Sequence, residues 1–326
     1  MKKLISTVAL AAISTTAYAN VLMPEISRDG KTRNTSVLAV SQEKRSFIAS
    51  NYLSQSLETD TVPAVDVDLS QLNMFGAFSA NNFSFEGSYQ KQDIEIGAAD
   101  ADVKRLDALF GFRVNKSLTL GLGLTENELS TALDDTIIEA GGTLVVNGTT
   151  LGASLAHHML DSGTAEGDYT VLTMAFGKQV KDLSWETGIQ YSTKGNDSYT
   201  ADSRLGVFGN VTKISGNLEL DARFKYEYGD YLQSNISDND YSSLEMSVDA
   251  EFLVTPVFYV TPGLEYTMTS LPDYIDADTG ILTAKVDLGY RANNLDGTFG
   301  LNYATGELEG IDLDGIGFNL NVGYNF

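Results

Sequence analysis

The sequence predicts an all-β chain, a transmembrane antiparallel β-barrel of about sixteen strands, with fourteen as the alternative. Three observations carry this: long segments alternating with period 2, an amino-terminal export signal, and short connections that alternate with longer polar ones. Period 2 is the spacing at which successive side chains point to opposite faces of a strand. From Leu218 to Tyr228 the even positions are Leu218, Leu220, Ala222, Phe224, Tyr226 and Tyr228, and the odd ones Glu219, Asp221, Arg223, Lys225 and Glu227. The same comb recurs at Leu244, Met246, Val248, Ala250 and Phe252 against Glu245, Ser247, Asp249 and Glu251. It returns at Leu282, Ala284, Val286, Leu288 and Tyr290 against Thr283, Lys285, Asp287, Gly289 and Arg291. One wholly apolar face and one wholly polar face suit a wall between lipid and water. A soluble antiparallel sandwich or solenoid is the alternative that a single comb leaves open.

The amino terminus sets the compartment. Met1-Lys2-Lys3 is a short basic region, Leu4 to Ile13 an apolar stretch, and Ala17-Tyr18-Ala19 a small-residue cleavage site, so residues 1–19 read as a secretory signal peptide. No later stretch is long and apolar enough for a transmembrane helix. The organisation expected is therefore a signal peptide (1–19), an N-terminal periplasmic arm or plug (20–45) and a barrel (46–326).

Composition removes whole classes of chemistry. The chain has 326 residues, 21 Lys and Arg against 44 Asp and Glu, two His and no Cys. A net charge of −23 repels a polyanion, which argues against nucleic acid as a partner. Without cysteine there are no disulfides, thiolate metal sites or thiol nucleophiles, and two histidines leave little for a metal cluster. No G-x-S-x-G, P-loop or H-E-x-x-H motif occurs, and the Asp-rich loops lack EF-hand spacing. No cofactor, metal site or catalytic residue is expected. The one enzymatic alternative is an outer-membrane hydrolase built on His157 or His158 with Asp161 and Ser162.

The strands expected are 46–57, 65–80, 83–94, 103–115, 117–127, 136–146, 150–160, 169–180, 183–194, 202–213, 216–229, 241–254, 257–268, 280–292, 297–305 and 314–326. Strand 136–146, followed by the hairpin dipeptide Asn147-Gly148, is needed to keep both termini on one side. Tight turns at 80–82, 115–116, 180–182, 214–216, 255–256 and 293–297 are expected to be periplasmic. Longer connections at 97–102, 161–168, 195–202, 230–240, 270–279 and 305–314 are expected outside. Aromatic rings favour the two lipid–water boundaries. Phe83, Trp185, Phe258, Phe299, Tyr324 and Phe326 fall near one end of this scheme, and Tyr89, Tyr191, Tyr228, Tyr241, Tyr266 and Tyr303 near the other.

The closing segment from Gly315 to Phe326 has apolar residues at every second position before a terminal Phe326. Here the chain resembles Gram-negative outer-membrane β-barrel proteins, and in its strand number and width it is porin-like. The resemblance implies an integral bacterial outer-membrane location, contact with outer-membrane lipid and lipopolysaccharide, and recognition by the barrel assembly machinery through the last strand. It implies passive diffusion of small hydrophilic solutes and ions, and leaves a homotrimer open. General porins narrow their pore with a long third outer loop, and the corresponding segment here, about 128–135, is too short for that.

Inward positions read from the scheme are Arg105, Arg113, Glu186, Arg204, Glu219, Asp221, Arg223, Lys225, Glu227, Glu245, Asp249, Glu251, Lys285, Asp287 and Arg291, expected to line the pore. Closing the hairpin at 230–240 places Lys225 near Glu245, Asp221 near Asp249 and Glu219 near Glu251, with Arg204, Arg223 and Lys225 as a basic patch above. Acidic outer loops carrying Asp161, Glu166, Asp168, Asp230, Asp238, Asp240, Asp273, Asp276, Asp278, Glu307, Glu309, Asp312 and Asp314 predict a mouth that attracts cations and a mild cation preference. The alternative function is a closed barrel that binds or adheres through those loops. The arm 20–45 carries Arg28, Lys31, Arg33, Lys44 and Arg45 against Glu25, Asp29 and Glu43, so it either enters the acidic channel or remains a periplasmic tail.

Overall fold

A computed structural model describes residues 46–60, 66–96, 99–129, 133–161, 166–193, 203–230, 240–270, 278–308 and 311–326. Sixteen strands form one closed antiparallel barrel: β1 (Phe47–Thr59), β2 (Asp66–Ala80), β3 (Phe83–Ile96), β4 (Ala99–Arg113), β5 (Leu118–Leu129), β6 (Leu133–Val146), β7 (Thr149–Asp161), β8 (Glu166–Val180), β9 (Leu183–Ser192), β10 (Arg204–Ser215), β11 (Leu218–Asp230), β12 (Asp240–Leu253), β13 (Phe258–Ser270), β14 (Thr279–Ala292), β15 (Leu295–Leu308) and β16 (Ile311–Asn325). Each strand pairs with its sequence neighbours, and β1 closes on β16 from Phe47↔Asn325 to Thr59↔Leu313. Closure leaves no edge strand, so no strand presents a row of unpaired backbone groups at a sheet edge.

The wall is inside out relative to a soluble protein. Large apolar side chains such as Leu122, Leu205, Leu264, Leu288, Leu301 and Ile316 are 53–71% exposed, whereas Asn73, Gln90, Glu86 and Thr173 on the opposite parity are 3–4% exposed. An apolar belt of this extent needs an apolar solvent, and that solvent is lipid. Trp185 packs edge-on against Phe176 within the belt, their centroids 5.6 Å apart.

Turn chemistry concentrates at one rim. Two-residue connections follow β2, β6, β8, β10 and β14, with positive φ at Asn81, Asn147, Gly148, Lys181, Gly216 and Asn293. In the Asn147-Gly148 turn both central residues are left-handed (φ 52° and 76°), matching the twist of a β-hairpin. Replacing Gly148 by Val should lower stability by about 1–2 kcal/mol, read as an earlier midpoint in urea unfolding from lipid vesicles. At the two longer turns side chains fix the chain: Asn115 Oδ1 accepts from the Ser117 and Leu118 N–H groups, and Thr255 Oγ1 from those of Val257 and Phe258. Both chain ends of the barrel meet at this rim, where the Phe326 N–H donates to the Ser46 carbonyl at 3.0 Å. The β12–β13 ladder is interrupted between Asp249↔Gly263 and Phe252↔Val260, where Pro262 has no N–H to donate.

Strand number, order and pairing agree with the sequence reading, and the corrections fall at the ends. The connections expected at 97–102 and 305–314 shrink because β3 and β4 meet Ile96↔Ala99 and β15 and β16 meet Leu308↔Ile311. The turn expected at 293–297 is only Asn293-Asn294, and that at 214–216 shifts to Gly216-Asn217. Polar composition misled here: strands that rise beyond lipid carry charges on both faces and resemble loops. Tyr241 is a second correction, since it is 5% exposed on the inward parity beneath the Arg204 guanidinium, 4.4 Å from its ring centroid, and belongs to no outer girdle.

Candidate functional site: the lumenal wall

The site is the inward face. Parity places all fifteen expected positions there: odd residues on β4, β11, β12 and β14, even residues on β9 and β10, opposite in every case to the exposed apolar set. The register on β11 and β12 pairs Lys225↔Glu245, Asp221↔Asp249 and Glu219↔Glu251, as the hairpin closure requires. Two of these pairs oppose like charges, and like charges directly opposite are unfavourable. The structure relieves them with cations drawn from beside and across. Arg223 Nε donates to Asp221 Oδ1 at 2.6 Å, and Lys285 Nζ reaches Asp249 Oδ1 at 2.9 Å.

Lys285 lies two strands from Asp249, and glycine makes the reach possible. Gly263 on the intervening β13 has no side chain, and a Cβ there would collide with Asp249 Oδ1 and the Lys285 chain. The device repeats on β15, where Gly300 sits beneath Asn319 Nδ2 donating to Asp287 Oδ1 at 3.2 Å. Polar side chains thus link alternate strands along the wall.

At the short-turn rim a denser cluster forms. Arg291 donates from Nε to Asp296 at 2.6 Å and through Nη1 and Nη2 to the two oxygens of Glu251 at 3.1 and 3.2 Å. Its guanidinium lies 4.5 Å from the Tyr259 ring centroid, and the Tyr259 hydroxyl donates to Asp296 Oδ1 at 2.7 Å. Tyr259 in turn covers Gly289, leaving no space there for a Cβ. Sequence reading found Arg291 and Glu251 but missed Tyr259 and Asp296, because only register shows that they converge.

The basic patch of Arg204, Arg223 and Lys225 is corrected in kind. Arg204 covers Tyr241, Arg223 is held by Asp221, and Lys225 contacts Glu227 at 3.2 Å, so each cation is engaged locally. On β4 Asp107 accepts from Arg105 at 2.9–3.0 Å, from Ser88 at 2.7 Å and from Thr125 at 2.6 Å. Among the described residues, carboxylates outnumber Lys and Arg on the inward face.

The acidic outer loops need a larger correction. Asp161, Asp168, Asp240, Glu307, Asp312 and Asp314 lie on strands with the outward parity, together with Asp102, Glu126 and Glu128. They form a collar around the outside of the wall, where Lys104 contacts Asp102 at 3.3 Å and Glu128 at 3.2 Å. Glu166 and Asp230 are strand-end residues. Asp238, Asp273, Asp276 and Glu309 lie outside the described residues, as do 20–45 and Ser162.

The adjacent histidines diverge. His157 faces outward, its Nδ1 3.2 Å from Thr170 Oγ1 and its Nε2 3.9 Å from Asp168. His158 faces inward, stacked on Tyr169 at 4.3 Å with Nδ1 3.0 Å from Asp135 Oδ2. Alternation along one strand prevents them from serving one site. No grouping of three or more metal-ligating side chains occurs among the described residues.

No known protein family and no curated protein matches this sequence. Among solved structures, the chain is similar to a bacterial polysaccharide outer-membrane secretin with a TM-score of 0.52 at 10% identity, covering 87% of this chain and 99% of that one. It is also similar to a Pseudomonas aeruginosa FadL homologue with a TM-score of 0.50 at 11% identity, covering 87% and 91%. The chain has the closed-barrel fold of outer-membrane β-barrel proteins.

Proposed function

We propose that the protein is an integral outer-membrane channel for passive diffusion of small hydrophilic solutes and ions, with a mild preference for cations. The observation that carries this reading is a closed sixteen-strand wall, apolar outside and charged inside. Side chains alone do not fill a barrel of that strand number. The fold neighbours, an outer-membrane secretin and a FadL homologue, support the membrane and the location. The short turns then face the periplasm, following the general orientation of such barrels.

The cation preference rests on the acidic inward face rather than on the loops. Carboxylates set into the wall raise local cation concentration, more strongly at low salt. Proteoliposomes containing the full mature chain should swell in isosmotic pentose and hexose, faster for the smaller sugar. Swelling no faster than in protein-free vesicles would remove the diffusion reading.

A further inference from the structure

The outer surface of the wall is electrically lopsided. At the long-connection end the outward lysines are neutralised: Lys91 Nζ lies 2.7 Å from Asp93, and Lys104 Nζ lies 3.3 Å from Asp102 and 3.2 Å from Glu128. At the short-turn rim of β8–β10 the balance reverses. Lys178 and Lys213 share the parity of the exposed Phe176, Val180, Leu205 and Val211, so both project toward lipid, and Lys181 sits in the intervening turn. All three are exposed, and none forms an ion pair among the described residues. The carboxylates on the outward parity of β7–β11 are Asp161, Glu166, Asp168 and Asp230, all at the far strand ends, which leaves Asp182 of the turn as the acid near the three lysines.

The register gathers this patch. Trp185 pairs with Lys178 on one side and Val211 on the other, and Leu183 pairs with Val180 and Lys213. Rows across the strands climb away from the rim, since the row beginning at Phe47 on β1 reaches Arg204 at the far end of β10. That climb offsets the two-residue stagger between Lys178 and Lys213 and brings them to one level. Their Cα atoms are then about 12 Å apart, from strand spacing and rise, within the joint reach of two four-carbon stems. Lys181 adds an independent sign. Its φ of 55° is left-handed, and the corresponding positions of the other two-residue turns hold Asn81, Asn147, Asn293 and Gly216, residues that adopt this region at less cost. A lysine there gives up stability that asparagine would keep, and what it adds is charge.

We propose that this rim is a binding site for an anionic glycerophospholipid, with its phosphate held by Lys178, Lys181 and Lys213 and its acyl chains lying along Trp185, Phe176 and Val211. Charge complementarity selects the occupant. Three ammoniums without carboxylate partners stand where the apolar belt ends, so the anion that fits them is one that carries apolar chains. A zwitterionic phospholipid brings its own ammonium and gains less. Trp185, the chain's single tryptophan, places an apolar ring with one N–H donor between the two outward lysines, and Phe176 packs edge-on against it. The site lies on the outer surface, so it stands apart from what passes through the lumen.

The single tryptophan is also the reporter. The full mature chain would be refolded into phosphatidylcholine vesicles holding the same minor fraction of either brominated phosphatidylglycerol or brominated phosphatidylcholine, with folding checked by heat-modifiability on gels. Brominated phosphatidylglycerol should quench Trp185 fluorescence more strongly, reflecting a local preference of about fivefold per lysine. Raised salt should weaken that preference. The triple substitution Lys178→Gln, Lys181→Asn and Lys213→Gln should bring the two lipids level. Lys91→Gln with Lys104→Gln, which removes charge at the far end, should leave the preference intact. Equal quenching by the two lipids in the native sequence would overturn the proposal, and this comparison decides the matter if the triple variant does not fold. A preference that survives the triple substitution, or that falls equally in the far-end pair, would overturn it as well.

Discussion

Leu301→Arg should destabilise the folded barrel by about 2–4 kcal/mol, the cost of an arginine at the middle of the lipid-facing surface. Leu301 is 60% exposed at the centre of β15, flanked in register by Val286 and Phe318, both on the outward parity. An equally large insertion on the inward face should behave differently. Thr283→Arg places the same charge opposite Glu265, in water and beside a carboxylate, and should shift stability by no more than about 0.5 kcal/mol. Urea unfolding from lipid vesicles, followed by loss of the heat-modifiable band, compares them directly. Equal costs would contradict the assignment of the two faces.

The second large effect is expected at Arg291. Removing its side chain leaves Glu251 and Asp296 close together and without their shared cation, and takes the cover from one face of Tyr259. Breaking a buried pair costs more than the pair contributes, because the remaining charge stays desolvated. These groups are partly open to the lumen, so Arg291→Ala should cost about 2–3 kcal/mol. Arg291→Lys should recover less than half, since an ammonium cannot make a fork to Glu251 and a separate bond to Asp296. Combining Arg291→Ala with Glu251→Ala should cost less than the sum of the two single changes, because the two share one interaction.

Much of this was legible in the sequence because a membrane barrel is written in a two-residue code. A strand between lipid and water must alternate along its whole length, and a slip by one residue would turn every charge toward lipid. The combs at Leu218–Tyr228 and Leu244–Phe252 therefore revealed strand, face and, with the 230–240 closure, register together. Parity of connections recovered β6, whose own sequence, rich in Gly and Thr, alternates weakly.

Other features were hidden because they depend on several strands at once. The reach of Lys285 over Gly263 to Asp249 joins β12, β13 and β14, and no local pattern marks it. The acids of Glu307, Asp312 and Asp314 look like loop residues, yet hydrogen bonding carries the strands past the apolar belt and turns those side chains outward. Tyr241 shows the same limit: an aromatic near a strand end resembles a girdle residue until its parity is counted.

The central claim is that the acidic inward face bounds an open aqueous path. Single-channel recording of the refolded full mature protein in a planar bilayer under a salt gradient tests it most directly, since current reads width and reversal potential reads wall charge. The account predicts stable conductance steps with a cation-selective reversal potential that strengthens as salt is lowered. Silence from correctly folded protein, or an anion-selective reversal potential, would contradict it.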